Sequence, residues 1–414
     1  MDMTIQTIDL VECLSNAVDL ISPKINDHHQ KVIIISYYLG KAYGLSPSQL
    51  EDLLIAASIH DIGALTAKEH LDLLDFDEVE GDHSKYGASL LKAFKPFAHI
   101  APIIKYHHSA WKDRNIAVTD GEEISILSRI IYLADRISVL IQPDFKLNQV
   151  EDISKLVYEK SGTSFHPDLV DAYREIAKKE CFWLDIKEAA VHSTLKQILT
   201  HNLNLTASDL LELGTLLSQI IDFRSKFTAA HSSGVSAVAC SLAETMGLSD
   251  HECLLMNLAG DLHDIGKLVV PEAILEKNGR LSSDEFDVMR SHAYYTDRLL
   301  SGISAFDSIR IWGALHHEKL NGQGYPFGLK EHQIPLGSRI MAVADIYTAV
   351  AEDRPYRKGM DRKDTMEVLN NLVKDGSIDK NVVGALMGDY SLIESNRIEA
   401  QNEALQKYIE FYLK

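Results

Sequence analysis

No stretch of these 414 residues approaches the ~20 consecutive apolar positions that a membrane-spanning helix requires, the run Val32 to Ile35 being among the most apolar. The opening MDMTIQTIDLVECL has no basic start followed by a continuous apolar segment. A signal peptide is not expected there, and a cytoplasmic protein without a membrane partner is expected. Cys13, Cys181, Cys240 and Cys253 show no CxxC spacing and read as reduced thiols without a role. Basic residues are in deficit, 41 Lys and Arg against 60 Asp and Glu, a net charge of −19. That balance argues against polymeric nucleic acid as a partner, because such binding draws on clustered Lys and Arg. A small anionic substrate stays open, since bound divalent cations reverse the field inside a pocket. Pro-rich, Ser-rich and Gln-rich tracts are missing, and 46% hydrophobic with 24% charged residues is the balance of a chain that folds nearly throughout. The length predicts at least two domains.

What is present is an internal duplication. IHDIGAL around His60 returns as LHDIGKL around His263, 203 residues later. HSKYGASLL at His83 returns as HAYYTDRLL at His292, YHHSAW at His107 as LHHEKL at His316, and SRIIYLADRIS at Ser128 as SRIMAVADIYT at Ser338. The order is kept with small insertions, and the same offset carried backwards sets His28 on His231 and Asp19 on Asp222. Apolar spacing in both copies is helical, as in Leu254, Leu255, Leu258 and Leu262, and strand-like alternation is scarce. Gly44 and Gly247 each precede Leu-Ser, a helix stop followed by a Ser N-cap. The fold class expected is all-α, two tandem helical bundles. The expected domains are residues 1–165, a helical linker over 166–221 with Leu210, Leu213, Leu217 and Ile221 on one face, and residues 222–414.

The second copy carries His231, His263-Asp264, His292, His316-His317 and Asp345. A lone histidine is more often a hydrogen-bonded core or surface residue, but here His and Asp recur at matched positions in two copies, where burying them unpaired would be costly. Metal ligation explains the recurrence. Imidazole and carboxylate suit first-row divalent ions such as Fe, Mn or Zn, and the candidates are too many for one ion.

These residues resemble the HD superfamily of metal phosphohydrolases, named for its His-Asp doublet. HDIGK at 263–267, HHEKLNGQGYP at 316–326 and DRPYR at 353–357 are similar to the HD-GYP subfamily, whose members degrade bacterial cyclic dinucleotides. The likeness is strong over 222–390 and weaker over 19–140. It implies two divalent ions, Fe or Mn before Zn, Ni or Mg. One would be held by His231, His263 and Asp345 and the other by His292, His316 and His317, with Asp264 bridging them. It also implies a metal-bridging hydroxide as nucleophile and Lys267 on the scissile phosphate, so that Lys267 and Asp264 carry the chemistry. Gly324 and Tyr325 of the GYP loop, with Arg354 and Arg357, would bind substrate.

The implied function is a phosphodiesterase that opens cyclic di-GMP or 3′3′-cGAMP to a linear dinucleotide. The tandem architecture is similar to that of members acting on 3′3′-cGAMP. Phe227 stands where some members place a third-metal Glu, and Asn321 and Thr348 replace customary Asp residues. The first copy keeps His28, His60, Asp61, His83, His107, His108 and Asp135 as a second candidate metal site. Ala64 replaces the lysine there, Ser109 replaces Glu318, and no GYP string follows, so a regulatory or packing role is expected. His29 is expected to be exposed. A non-cleaving cyclic-dinucleotide receptor, an HD hydrolase of another nucleotide, and a scaffold are the competing readings. A homodimer or a signalling protein is the kind of macromolecular partner left open.

Overall fold

The structure is a computed structural model that describes residues 2–21, 27–66, 76, 82–112, 123–142, 145–188, 190–222, 224, 230–353 and 358–413. Among these described residues it is all-α apart from one ribbon of two four-residue strands, β1 (Met3–Gln6) paired with β2 (Asn202–Leu205). The chain forms two compact units, Gln6–Leu203 and Asn204–Lys414, the latter with Met1–Ile5. Among the described residues no helix is long and apolar enough to cross a membrane.

The first unit contains α1 (Thr7–Asp19), α2 (His28–Tyr43), α3 (Pro47–Ser58), α4 (His83–Lys92), α5 (Ala101–Lys105), α6 (Ile126–Leu140), α7 (Val150–Glu159), α8 (Pro167–Ala177), α9 (Glu180–Lys187) and α10 (Val191–Ile198). Helix α2 packs against α3, α6 and α8. The second unit contains α11 (Ala207–Asp222), α12 (His231–Thr245), α13 (Asp250–Leu262), α14 (Glu272–Leu275), α15 (Ser283–Leu300), α16 (Asp307–Ala314), α17 (Leu336–Ala351), α18 (Arg362–Lys374), α19 (Lys380–Gly388) and α20 (Tyr390–Leu413). Its centre is α12, packed against α13, α17 and α20.

The punctuation between helices is repeated as the glycine-Leu-Ser strings require. Gly44 and Gly247 have φ of 87° and 80°, the left-handed region that glycine enters without a Cβ penalty. Ser46 and Ser249 then cap the next helix, each accepting from the backbone N–H three residues on, while Gln49 and Glu252 reach back to the Ser N–H.

The structure divides the chain elsewhere than at 165 and 221, because the residues between those points have cores to join. Leu169, Val170, Tyr173, Phe182 and Trp183 are buried within the first unit, where Trp183 stacks on Phe145. Leu210, Leu213, Leu217 and Ile221 do form one buried face of α11, which packs on α13 inside the second unit. The two units divide at Leu203 and Asn204, within the segment expected as a helical linker.

Candidate metal centre

Five elements of the second unit deliver its seven candidate ligands. His231 opens α12, and His263-Asp264 sits where α13 gives way to a 3-10 turn, Ile265–Val269. His292 lies on α15, His316-His317 follows α16, and Asp345 lies on α17. The 3-10 turn lies directly on α15 because residue 266 is glycine, where a Cβ would fall 1.9 Å from the His292 carbonyl oxygen. Thr296 ties the same junction, accepting from Gly266 N–H and donating to the His263 carbonyl, both at 3.0 Å.

A local device orients the imidazoles. His263, His292 and His316 each donate from Nδ1 to the carbonyl three residues earlier, Gly260 at 2.7 Å, Met289 at 2.6 Å and Gly313 at 2.6 Å. A carbonyl can only accept, so the proton is fixed on Nδ1 and the Nε2 lone pair faces inward. His231 is oriented differently: its Nδ1 lies 3.1 Å from both Glu352 oxygens and its Nε2 3.2 Å from Asp345 Oδ1.

Asp264 stands between two groups of rings. Its Oδ2 is 3.2 Å from His263 Nε2 and its Oδ1 3.4 Å from His292 Nε2 and 4.0 Å from His316 Nε2. Lys267, one turn on, pairs with Oδ2. Facing ligand atoms fall into two triads, His231-His263-Asp264 and His292-His316-His317, with Asp345 against the first.

The electrostatics are those of a cation site. Burial, then His263 and His292, push His316 down to about 3, and burial lowers His292 and His317 as well, so these rings are neutral donors. Burial alone would raise the Asp264 carboxyl, but His263 and Lys267 hold it well below the usual range, and His231 and His316 do the same for Asp345. Burial pulls His231 down, yet Glu352 and Asp345 outweigh it and push the ring up to about 10, so that a proton takes the place a cation would fill. His263 Nε2 and Asp264 Oδ1 are buried without a hydrogen-bond partner. Unprotonated imidazoles, ionised carboxylates and orphaned inward atoms fit a divalent metal centre.

The GYP loop packs beside it. Tyr325 N–H donates to the His317 carbonyl at 3.2 Å, its ring lies 4.8 Å from that of His317, and the Arg290 guanidinium sits over the Tyr325 ring, 4.7 Å from its centroid. Gly324 lies against the backbone of Glu318 and Lys319, where a Cβ would come within 2.3 Å. The buried Glu318 accepts from the N–H groups of Phe327, Gly328 and Leu329 and so closes the loop. Asn321 accepts from Gln323 N–H and donates to the Asp375 carbonyl, a turn-forming role. Arg354, Arg357 and Phe227 lie outside the described residues.

The first unit assembles all seven of its expected residues. Asp61 Oδ2 lies 3.3 Å from His60 Nε2 and 3.8 Å from His28 Nε2, and Oδ1 lies 3.6 Å from both His83 and His107. Asp135 is 3.2 Å from His28, and His108 is 4.0 Å from Asp135. The expectation of an exposed His29 is overturned: the ring is wholly buried, with Nδ1 on Asp19 and Nε2 3.7 Å from Asp61. It begins α2 beside His28, and packing of that first turn over the cluster leaves no solvent face.

Sequence reasoning missed Glu352, Arg290 and the inward His29. Glu352 was signalled by lying seven residues after Asp345, two helical turns on the same face. Asp19 was signalled by its repeat partner Asp222, which accepts from Ser232 at the position matching His29.

The HD domain family matches this chain twice, over residues 26–140 and 215–382. A 3′3′-cGAMP-specific phosphodiesterase 1 of Vibrio cholerae is 28% identical over 91% of this chain and 90% of its own. A cyclic di-GMP phosphodiesterase of Pseudomonas aeruginosa is 40% identical over 37% of this chain and 38% of its own. The crystal structure of a cyclic GMP-AMP specific phosphodiesterase of V. cholerae superposes with a TM-score of 0.66 at 22% identity, over 95% of this chain and 99% of that one, and so shares the fold. With an HD domain in each half and the HHE and GYP strings around the second centre, the chain belongs to the HD family, as a tandem protein of the HD-GYP type.

Proposed function

We propose that the second unit hydrolyses one phosphodiester of a 3′-5′ cyclic dinucleotide, opening the ring to a linear dinucleotide. The observation that carries this reading is Asp264, with one oxygen toward each histidine group and Lys267 beside it. His231, His263 and Asp345 would hold one ion, His292, His316 and His317 a second, with Asp264 shared; Fe or Mn suits this nitrogen and oxygen set best. Bound ions would supply an activated water and offset phosphate charge. The chain's own residues supply position. Lys267, on its 3-10 turn, is placed to turn from Asp264 to a phosphate oxygen, and the GYP loop, braced by Glu318, presents Tyr325 at the rim beside Arg290. Water adds to phosphorus as the ribose oxygen leaves with a proton, so no protein nucleophile is consumed. A hydrolase acting on a diffusible messenger in the cytoplasm follows from this reading.

The full-length match to a 3′3′-cGAMP-specific relative favours the mixed ring over cyclic di-GMP as substrate. Purified protein loaded with Mn(II) or Fe(II) should cleave one or both dinucleotides, with 3′3′-cGAMP faster, and a His263→Ala, Asp264→Ala double variant should cleave neither. Tight binding without cleavage under either metal would replace the enzyme with a receptor.

A further inference from the structure

We propose that the first unit holds a metal centre of its own, built on a donor set the second unit lacks: His29, backed by Asp19, joins His28, His60, Asp61 and Asp135. The ion it takes is a divalent first-row metal, and it is held without hydrolysis. This inference rests on the first unit alone and stands whether or not the second unit is a hydrolase.

Three observations carry it. His28 Nε2, His60 Nε2 and Asp135 Oδ1 are deeply buried without a hydrogen-bond partner, and these three residues form one cluster. Polar atoms are not left so in a packed interior unless a ligand completes them. Next, the outer nitrogens are engaged so as to aim the inner ones. His60 and His107 donate from Nδ1 to the Ala57 and Ile104 carbonyls at 3.0 and 2.6 Å, and His28 Nδ1 meets Ser138 Oγ at 2.9 Å. Ser138 gives its own proton to the Asp135 carbonyl, so it accepts from His28 and leaves Nε2 unprotonated.

The decisive feature is His29. Its Nδ1 lies 2.5 Å from Asp19 Oδ1, and His29, His60 and Asp61 present ligand atoms within 4.8 Å of one another. A carboxylate behind an imidazole that faces a carboxylate is the arrangement by which proteins orient a metal-bound histidine. In the second unit the matching residue is Ser232, whose hydroxyl donates to Asp222, so that position supplies no ligand there. The second unit backs its own His231 with Glu352 instead, a position occupied by Gln142 in the first. Arg136 fixes Asp135 through Oδ2 at 2.7 Å, leaving Oδ1 toward His28 at 3.2 Å. The machinery for phosphate is what has gone: Ala64 stands for Lys267, Ser109 for Glu318, and the GYP string is missing.

The test uses the full chain carrying His263→Ala and Asp264→Ala, which removes the second centre. After loading with Mn(II) or Co(II) and desalting, plasma mass spectrometry should still find metal, and Co(II) should show the visible absorption of nitrogen-rich coordination. Adding His29→Gln should abolish retention, and adding Asp19→Asn should weaken affinity about 10- to 100-fold. Circular dichroism checks folding, and if His29→Gln unfolds, Asp19→Asn at the edge of the cluster decides the matter. Loss of all metal in the double variant, while wild type keeps its own, would overturn the proposal and leave the second centre untouched. Retention indifferent to both His29→Gln and Asp19→Asn would overturn the donor set.

Discussion

Glu352 shows how one side chain outside the candidate ligand cluster orients a member of it. It meets Nδ1 of His231 with both oxygens at 3.1 Å, and it is itself held by Gln401, which donates to Oε2 at 2.9 Å and accepts from Arg397 at 2.6 Å. A carboxylate there fixes the ring and raises its basicity, and loss of such partners costs about 10- to 100-fold in metal affinity or activity. Glu352→Gln should therefore fold as wild type and bind Mn(II) that much more weakly, measured by titration under competition with a chelator. An unchanged affinity would reduce Glu352 to packing. Lys267 differs, because its contact with Asp264 is one a bound substrate can replace. Lys267→Ala should retain metal and lose turnover, a split that separates a phosphate contact from a structural ion pair.

The junction between α13 and the 3-10 turn Ile265–Val269 depends on the absence of a side chain. At Gly266 a Cβ would meet the His292 carbonyl at 1.9 Å and the Thr296 nitrogen at 2.6 Å, and at Gly63 it would meet the His83 carbonyl at 2.1 Å. Backbone atoms cannot rotate away, so Gly266→Ala should destabilise by about 3 kcal/mol, read from the midpoint of urea unfolding. Gly384 in α19 has nothing within 4 Å of its Cβ position, so Gly384→Ala should stabilise by about 0.5–1 kcal/mol. Gly63 and Gly266 were legible in the sequence as the third position after each HD doublet's His, since the string HDIG is common to both copies. Helix identity, the Ser caps and the recurrence of His and Asp at matched positions were legible for the same reason: two copies of one pattern constrain each other. What was not legible depends on the turn of a single ring. On a helix neighbours such as His28 and His29 point about 100° apart, and only the packing of α2 on α6 decides that both face inward.

The boundary between units shows a related limit, since a helical periodicity reports that a segment has a buried face without saying which core buries it. Gln6–Leu203 form one compact unit and Asn204–Lys414 with Met1–Ile5 the other, so the units divide inside the segment expected as a linker. Each fold encloses a cluster whose inward atoms are unsatisfied without an ion, among them His60 Nε2 and Asp61 Oδ1 in one and His263 Nε2 and Asp264 Oδ1 in the other. Folding brings these ligands together and the unfolded chain does not, so metal affinity becomes folding free energy. At a free metal concentration 100 times the dissociation constant, one site contributes about 2.7 kcal/mol, or about 5–10 °C for a unit of ~200 residues. Dialysis against EDTA should lower the unfolding temperature of the wild type by that order, and Mn(II) should restore it. In the His263→Ala, Asp264→Ala variant Mn(II) should still produce a smaller rise, supplied by the first unit. A calorimetric trace that Mn(II) leaves unmoved in wild type would mean that neither cluster couples metal binding to its fold.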